Sequence, residues 1–246
     1  MTRGHFQRWT DRLKGTPFHP QWLLGSSKET GAWIASHARG LVLDVGAADR
    51  WVENQIPSSC CYVSLDYPAT GRDLYGSRPE LFADAAKIPI RDKSVDVVLL
   101  LEVLEHLRYP SDALKEIHRV LRPGGKLIMS VPFMYPLHDP PFDFQRYTTH
   151  GLERELEKAG LQIDTIEVTI GSIETAGMIA NLAIGGSIIK GLKSHHSSLI
   201  LSPFLLAAIF LINLTSWTLA KILPNWSNLT AGYRVESSRA FDHESI

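Results

Sequence analysis

Four acidic residues of this 246-residue chain stand at or just after short apolar segments, which predict buried β-strands. They are Asp44, Asp66, Asp84 and Glu102. Because these segments alternate with helical ones, the sequence predicts a doubly wound, mostly parallel sheet. Ligands of such sheets bind at the edge where the strands have their carboxyl ends. We therefore expect the four carboxylates to surround a ligand.

The first two acids have the spacing of an adenosine-binding site. Gly46 follows the predicted strand 41–45, where a glycine permits a tight turn and the close approach of a ligand. Asp66 lies 20 residues further on, the distance at which an acid binds the ribose hydroxyls of an adenosine-containing cofactor. Tyr67 is placed to lie against the adenine. Either feature alone is also compatible with an ordinary turn and a solvated acid.

Several segments together resemble the class I S-adenosylmethionine-dependent methyltransferases, in the small-molecule branch similar to methyltransferase type 11. The segments are residues 42–48 (VLDVGAA), 82–90 (FADAAKIPI), 94–98 (SVDVV), 102–107 (EVLEHL) and 116–125 (EIHRVLRPGG). The resemblance covers about residues 41–170. It implies a seven-stranded Rossmann-like sheet that binds S-adenosyl-L-methionine as its cofactor.

The resemblance also implies a role for each matching residue. The assignments are Asp44 and Glu102 at the methionine end, Gly46 and Ala48 in the glycine loop, Asp66 and Tyr67 at the ribose and adenine, and Asp84 with Ala85 at the adenine. The sequence departs from the family at one place, since Ala48 and Arg50 stand where further glycines are usual. Because arginine is large, this departure bears on how the methionine end approaches the loop.

Candidates for the acceptor side are His106 and residues that follow the fifth predicted strand, within residues 136–147, where the family places its acceptor contacts. Methyl transfer is an in-line displacement, so a general base is needed only when the acceptor is a poorly acidic hydroxyl. The candidates are His106, His138 and Asp139 for catalysis, and Asp143, Arg146 and Tyr147 for substrate binding. Two alternatives stay open: Asp143 and Arg146 pair with each other, and His106 has a structural role.

The C-terminal region contains an apolar segment, residues 199–223, that is long enough to span a bilayer. A single span would separate the predicted last strand, 232–238, from the sheet. A helical hairpin with residues 177–189, lying in a membrane face, fits better, as does a homodimer interface; a buried helix is the third interpretation. The predicted domains are an N-terminal helical lid (1–40), the cofactor-binding core (41–173), the apolar hairpin insertion (174–224), and the final strand and tail (225–246).

The composition limits the classes of substrate and ligand expected for this chain. The net charge of −1 disfavours a nucleic-acid substrate. The adjacent Cys60 and Cys61 and the pair His195 and His196 lack the spacing of metal ligands, so no metal is expected. We expect a cytoplasmic enzyme, associated with the inner face of a membrane if the hairpin enters it. It would methylate an oxygen of a small molecule, glycan or lipid-linked intermediate.

Two other functions compete with this interpretation. A nicotinamide-dependent oxidoreductase would have a third glycine in a G-x-G-x-x-G turn, but Ala48 and Trp51 stand at the later positions. A catalytically inactive module, either membrane-associated or oligomeric, would keep the cofactor fold without turnover. Arg50 and the apolar segment favour this second alternative.

Overall fold

A computed structural model describes residue 13 and residues 15–25, 27–76 and 78–241. Seven strands form its sheet: β1 (Leu41–Val45), β2 (Cys61–Asp66), β3 (Leu81–Phe82), β4 (Val95–Leu101), β5 (Leu121–Pro132), β6 (Leu161–Val168) and β7 (Gly232–Arg239). The α-helices are α1 (Ser27–His37), α2 (Pro110–Val120), α3 (Thr149–Lys158), α4 (Ser172–Ser194) and α5 (Ser202–Ala220).

The strands lie in the order β3-β2-β1-β4-β5-β7-β6. Strand β1 pairs in parallel with β2 on one side and β4 on the other, and β7 runs antiparallel to β5. The predicted doubly wound, mostly parallel, seven-stranded sheet is therefore confirmed, and the last strand rejoins it. Strand order reverses between β1 and β4, and a parallel sheet of this kind opens a crevice at such a point.

Burial of the central strands explains why their bounds were predictable. Val42 and Leu43 in β1 and Val97 to Leu100 in β4 are fully buried, as expected for strands covered on both faces. Helix α2 ends at Val120, and β5 includes the Pro-Gly-Gly triplet. An irregularity in the β4–β5 register and the left-handed backbone of Gly124 accommodate it.

The chain divides into two compact units. The sheet unit comprises Ser27–Phe133, Leu137–Glu167 and Gly232–Ile246, and the helical unit comprises Met1–Ser26, Met134–Pro136 and Val168–Ala231. The boundaries proposed from sequence for a lid and an insertion stay predictions. The expected apolar helices before the last strand are present as α4 and α5.

Within the helical unit, buried amides join α4 to α5. The Asn181 side chain donates a hydrogen bond to Asn213 Oδ1 over 2.8 Å, and both side chains are fully buried. Asn213 in turn donates to the backbone carbonyls of Pro17 (2.6 Å) and His19 (3.0 Å). These hydrogen bonds tie the two helices to each other and to the segment before α1.

In the sheet unit, Arg239 at the end of β7 caps helix α2. Its guanidinium donates to the carbonyls of His118 (2.8 Å) and Leu121 (3.0 Å), and the side chain is only 8% exposed. Arg239→Met keeps the aliphatic stem but leaves these carbonyls without their charged donor. We expect a loss of about 2–4 kcal/mol in the free energy of unfolding, measured by urea denaturation.

The matched control is Arg154→Met. Arg154 is largely exposed and pairs with Glu155 on the surface of the same unit. Its loss is expected to change the free energy of unfolding by about 1 kcal/mol or less. Equal effects of the two substitutions would show that Arg239 does not stabilise the end of α2.

Candidate functional site

The carboxyl ends of β1 and β2 hold two buried aspartates. Asp44 is 3% exposed, and its Oδ2 accepts a hydrogen bond from the Tyr62 hydroxyl over 2.6 Å. Burial raises the pKa of Asp44 to about 7; the Tyr62 hydrogen bond opposes this shift, and the charge of Asp66 adds to it. Asp44 is thus a buried acid whose ionised form is poorly compensated by its surroundings.

Asp66 fastens the loop after β1 to the end of β2. Its carboxylate accepts from the backbone N–H of Ala48 (3.0 Å) and of Tyr67 (2.7 Å). Gly46, at the start of the loop, has a φ of +79°, and a Cβ there would lie 2.4 Å from a methyl of Val103. A side chain is therefore excluded on both conformational and steric grounds.

Arg50 takes a position where the resembling family usually has glycine, and the structure shows how. Its φ of +60° lies in the left-handed region. The guanidinium pairs with Glu53 (2.8 Å) and Glu80 (2.6 Å) and lies over the ring of Tyr62. Glu53 and Glu80 thus hold the side chain in place. Arginine in place of glycine is therefore compatible with an intact loop.

The remaining predicted cofactor residues lie beyond β3 and β4. Asp84 is exposed, and its Oδ1 accepts from the backbone N–H of Ala86, while Ala85 is buried and Tyr67 is exposed. Glu102 directly follows β4 with a φ of +53°. It is accessible to solvent, yet the protein around its carboxyl desolvates it and raises its pKa, as expected for a side chain within a cleft.

The donor set fits S-adenosylmethionine. The ligand carries an ammonium and a sulfonium, and Asp44 and Glu102 are acids with raised pKa. Asp66 and Asp84 supply further carboxylate acceptors for hydroxyl and amino groups at the same edge. A cationic, hydroxyl-rich ligand is therefore the kind that this edge would stabilise.

A second group, here called the acid–histidine cluster, consists of Glu105, His106 and His138. Glu105 is fully buried, and in the described part of the chain neither of its carboxylate oxygens has a hydrogen-bond partner. His106 Nε2 lies 3.6 Å and His138 Nε2 lies 3.9 Å from Glu105 Oε1. Burial, followed by the charge of Glu102, raises the pKa of Glu105 to about 9.

Each histidine has a polar neighbour at its Nδ1 atom. His106 Nδ1 lies 3.0 Å from the carbonyl of Phe142, and His138 Nδ1 lies 3.2 Å from Asp143 Oδ2. Asp143 also accepts two hydrogen bonds from Arg146, of 2.5 and 2.8 Å, and these lower its pKa to about 2. The two imidazole rings meet edge to face, with centroids 4.7 Å apart.

The acceptor-side candidates are brought together only in part. His106 and His138 meet, and the acid beside His138 Nδ1 is Asp143. Asp139 instead has a left-handed backbone, and its carbonyl accepts from Phe142 N–H. Asp143 and Arg146 pair with each other, as the alternative interpretation expected.

The sixth candidate, Tyr147, is 9% exposed, and burial raises the pKa of its hydroxyl to about 12. Catalytic and substrate-binding roles for these side chains stay predictions. Two residues of the site, Tyr62 and Glu105, were not predicted from the sequence. Glu105 stands beside a histidine in the apolar motif at 102–107, and that unusual position was the available signal. Nothing local marked Tyr62, whose contact with Asp44 depends on the pairing of β1 with β2.

Comparison with known proteins agrees with this geometry. Residues 43–129 match the family model described as a methyltransferase domain. A Mycolicibacterium smegmatis protein named as a probable S-adenosylmethionine-dependent methyltransferase is 37% identical over 139 residues, 52% of this chain and 53% of that protein. An O-methyltransferase of Aspergillus sclerotiorum is 32% identical over 116 residues, covering 42% of this chain and 44% of its own.

The chain therefore spans about half the length of the curated relatives it matches. Among solved structures, a SAM-dependent methyltransferase from Methanosarcina mazei aligns with 85% of this chain and 98% of its own. Its TM-score is 0.51 at 12% identity, which supports a shared fold and nothing finer. Sequence motifs, family model and sheet topology agree: residues 43–129 match a methyltransferase domain, and the relatives that span this region include proteins named as S-adenosylmethionine-dependent methyltransferases.

Proposed function

We propose that this protein transfers the methyl group of S-adenosylmethionine to an oxygen atom of a small molecule, a glycan or a lipid-linked intermediate. The observation that carries the proposal is the set of acids at one sheet edge, Asp44, Asp66, Asp84 and Glu102, with the acid–histidine cluster near Glu102. Burial of Asp44 and Glu102 raises the pKa of both. The bound cofactor supplies a methyl group on a positively charged sulfur, and such a cation is stabilised where negative charge is unbalanced.

On the cofactor side, each residue acts by accepting hydrogen bonds. Asp44 accepts from the ammonium of the methionine end, Asp66 from the ribose hydroxyls, and Asp84 from the adenine amine. Asp66 already accepts from two backbone N–H groups, and these hold its carboxylate in one orientation. A carboxylate has about four lone-pair directions, so it can accept from both the loop and the ribose.

On the acceptor side, the cluster takes the proton that a hydroxyl loses as it attacks. The new O–CH₃ bond forms as the C–S bond breaks, the electron pair stays on sulfur, and a neutral thioether leaves. Two observations support oxygen as the accepting atom. The histidines are held by Phe142 and Asp143 with their Nε2 atoms toward Glu105, and one relative is named as an O-methyltransferase.

The uncompensated charge of Asp44 leads to a prediction about stability without cofactor. Its pKa is about 7 in the folded protein but near 4 in an unfolded chain, so the folded state binds the proton more tightly. Stability therefore falls as pH rises from about 4 to about 7. Asp44→Asn removes this penalty, and we expect it to raise the free energy of unfolding at pH 8 by on the order of 2–4 kcal/mol relative to its effect at pH 4.5.

The measurement is urea denaturation of both proteins at the two pH values. Asp84→Asn serves as the matched control, because this acid lies at the same edge but is exposed. Its effect should be small and the same at both pH values. If Asp44→Asn showed no more pH dependence than Asp84→Asn, Asp44 would be adequately solvated or paired in the folded protein.

The function itself is tested by binding and turnover. We expect Asp66→Ala to raise the Kd for S-adenosylmethionine by about 10- to 100-fold, since it removes the ribose acceptor and one anchor of the loop. Asp49→Ala, in the same loop but exposed, should change the Kd by less than about 3-fold. Calorimetry gives the Kd, and thermal unfolding checks that both variants fold.

Turnover is followed as S-adenosylhomocysteine released when pools of alcohols, phenols, glycans and lipid extracts are added with tritiated methyl donor. A labelled product whose methyl group is bound to oxygen supports the proposal. Saturable cofactor binding without turnover on any pool would favour the inactive module instead. Absence of cofactor binding would refute both.

For the helical unit, we propose contact with a membrane surface, from which a lipid-linked acceptor would be taken. The helices Ser172–Ser194 and Ser197–Ala220 are long and apolar enough to cross a membrane by length and composition. Only 28% and 11% of the most apolar window of each is buried. On the second of these, Phe204 is 74% and Leu211 is 58% exposed. Apolar surface of this extent is typical of membrane or protein contact.

The double substitution Phe204→Glu and Leu211→Glu tests this proposal. Wild-type protein is expected to sediment with vesicles of phosphatidylethanolamine and phosphatidylglycerol, and the double variant to stay in the supernatant. Tyr109→Glu, an equally exposed position in the sheet unit, is the control and should sediment like the wild type. If the wild type stays soluble and is a dimer that the double variant dissociates, the apolar face is a dimer interface and the membrane proposal is wrong.

A further inference from the structure

The acid–histidine cluster contains an electrostatic arrangement that hydrogen bonding does not explain. A carbonyl oxygen can only accept, so the contact of His106 Nδ1 with Phe142 places the ring proton on Nδ1. His106 Nε2 then directs a lone pair toward the cluster. The facing atom, Glu105 Oε1, lies 3.6 Å away, which is beyond hydrogen-bond distance. The two atoms thus face each other without a hydrogen bond between them.

Glu105 strengthens this point, because the charge of Arg146 does not offset the burial of its carboxyl group. The side chain has no solvent exposure, and its two oxygens have no hydrogen-bond partner among the described residues. Buried carboxylates in proteins are normally paired with a cation, hydrogen-bonded or bound to a metal. The chain carries this unpaired acid into a position directly beside two imidazoles.

We propose that Glu105, His106 and His138 bind one divalent metal ion, of the kind that prefers two imidazoles and a carboxylate, and leave coordination positions open to the hydroxyl of the methyl acceptor. The metal site stands on the geometry alone. Its part in binding the acceptor rests on the proposed methyl transfer. No metal was expected from the sequence, because Cys60 with Cys61 and His195 with His196 lack the spacing of metal ligands.

The distances suit such an ion. One ligand atom from each of the three residues lies within 4.8 Å of the others. Two ligand atoms that bind zinc tetrahedrally at about 2.1 Å are separated by about 3.4 Å. The contacts of Glu105 Oε1 with the two Nε2 atoms, at 3.6 and 3.9 Å, are therefore within a few tenths of an ångström of the required separation. Small side-chain shifts would complete the site.

The atoms behind the ligands match the pattern of metal-binding histidines. Such histidines usually donate their second ring N–H to a carbonyl or a carboxylate, which fixes the tautomer and the ring orientation. His106 has the Phe142 carbonyl at 3.0 Å from Nδ1, and His138 has the Asp143 carboxylate at 3.2 Å from Nδ1. Asp143 is in turn held by Arg146. His138 Nδ1 also lies 3.4 Å from Arg146 Nη2, and the Nε2 atoms of His106 and His138 lie 3.6 and 3.9 Å from Glu105 Oε1.

Two histidines and one carboxylate are the ligand set of catalytic zinc sites and of several other first-row divalent ions. Three protein ligands leave at least one position for an exogenous oxygen. A hydroxyl bound there becomes more acidic, so its proton passes to solvent and the oxygen is ready to attack the methyl carbon. With the ion bound, the histidines act as its ligands, which replaces the role as bases that they would have in the metal-free protein. Acceptors with adjacent hydroxyl groups that chelate the ion are favoured.

The test uses the full chain, without an affinity tag, after treatment with a chelator. Calorimetric titration with ZnCl₂ should show one equivalent bound, with weaker binding of MgCl₂ because magnesium prefers oxygen ligands. Glu105→Gln should weaken zinc binding by more than about 10-fold, and the double variant His106→Ala with His138→Ala should abolish it. His150→Ala is the control, since this histidine is exposed and pairs with Glu153.

Folding of each variant is checked by circular dichroism. Glu105→Gln removes a buried carboxylate without a hydrogen-bond partner, so we expect it to fold, and a loss of zinc binding then reports on the site. Cobalt substitution gives a second readout, because the visible spectrum of bound Co²⁺ changes when a nitrogen ligand is removed by His138→Ala. Zinc binding that is absent, or that is unchanged in both the Glu105 and the double-histidine variants, would overturn the metal site.

Zinc binding is measured without turnover, so that measurement does not depend on the proposed methyl transfer. Metal-free protein that methylates its acceptor at the full rate would remove the metal from the reaction while leaving the function intact. One equivalent of zinc bound by a protein that never turns over S-adenosylmethionine would do the reverse. Addition of zinc that restores turnover in the chelated wild type but not in Glu105→Gln is the expected result.

Discussion

Carboxylates crowd the edge of the sheet where β1, β2 and β4 end, and their charge is only partly balanced by the protein. Asp44 has Tyr62 as its hydrogen-bond donor, and Asp66 has two backbone N–H groups. Arg50, the nearby cation, is itself held by Glu53 and Glu80. Such a group of carboxylates lowers the stability of the ligand-free protein and favours the binding of a positively charged ligand. The fold keeps the acids together because they are carried by buried parallel strands.

The two halves of the site differ in how they are held. The cofactor half is fixed by short-range backbone geometry, namely the left-handed Gly46 and the carboxylate of Asp66. The acceptor half depends on long-range contacts, in which the loop after β5 brings His138 to Glu105. This division suits a domain that binds one cofactor and different acceptors, since the acceptor half can change without altering the cofactor half.

The features of the fold that depend on local sequence patterns were predicted. The bounds of β1, β2 and β4 followed from continuous apolar runs, and the acids at their ends followed with them. The contact of His138 with Glu105 was beyond local reasoning, because it joins the loop after β5 to the turn after β4. The pairing of Asp143 with Arg146 was one of the alternatives that the sequence left open, and the structure shows it.

Proton release on cofactor binding tests the central claim most directly, because the claim is that a cationic ligand completes an edge of uncompensated acids. S-adenosylmethionine is titrated into the protein by calorimetry at pH 6.5, in two buffers of different ionisation enthalpy. Asp44, with a pKa of about 7, is largely protonated there and should lose its proton as the ammonium binds. Saturable binding with net release of protons to the buffer is the predicted result. Absence of binding, or binding with no release or with proton uptake, would contradict the account.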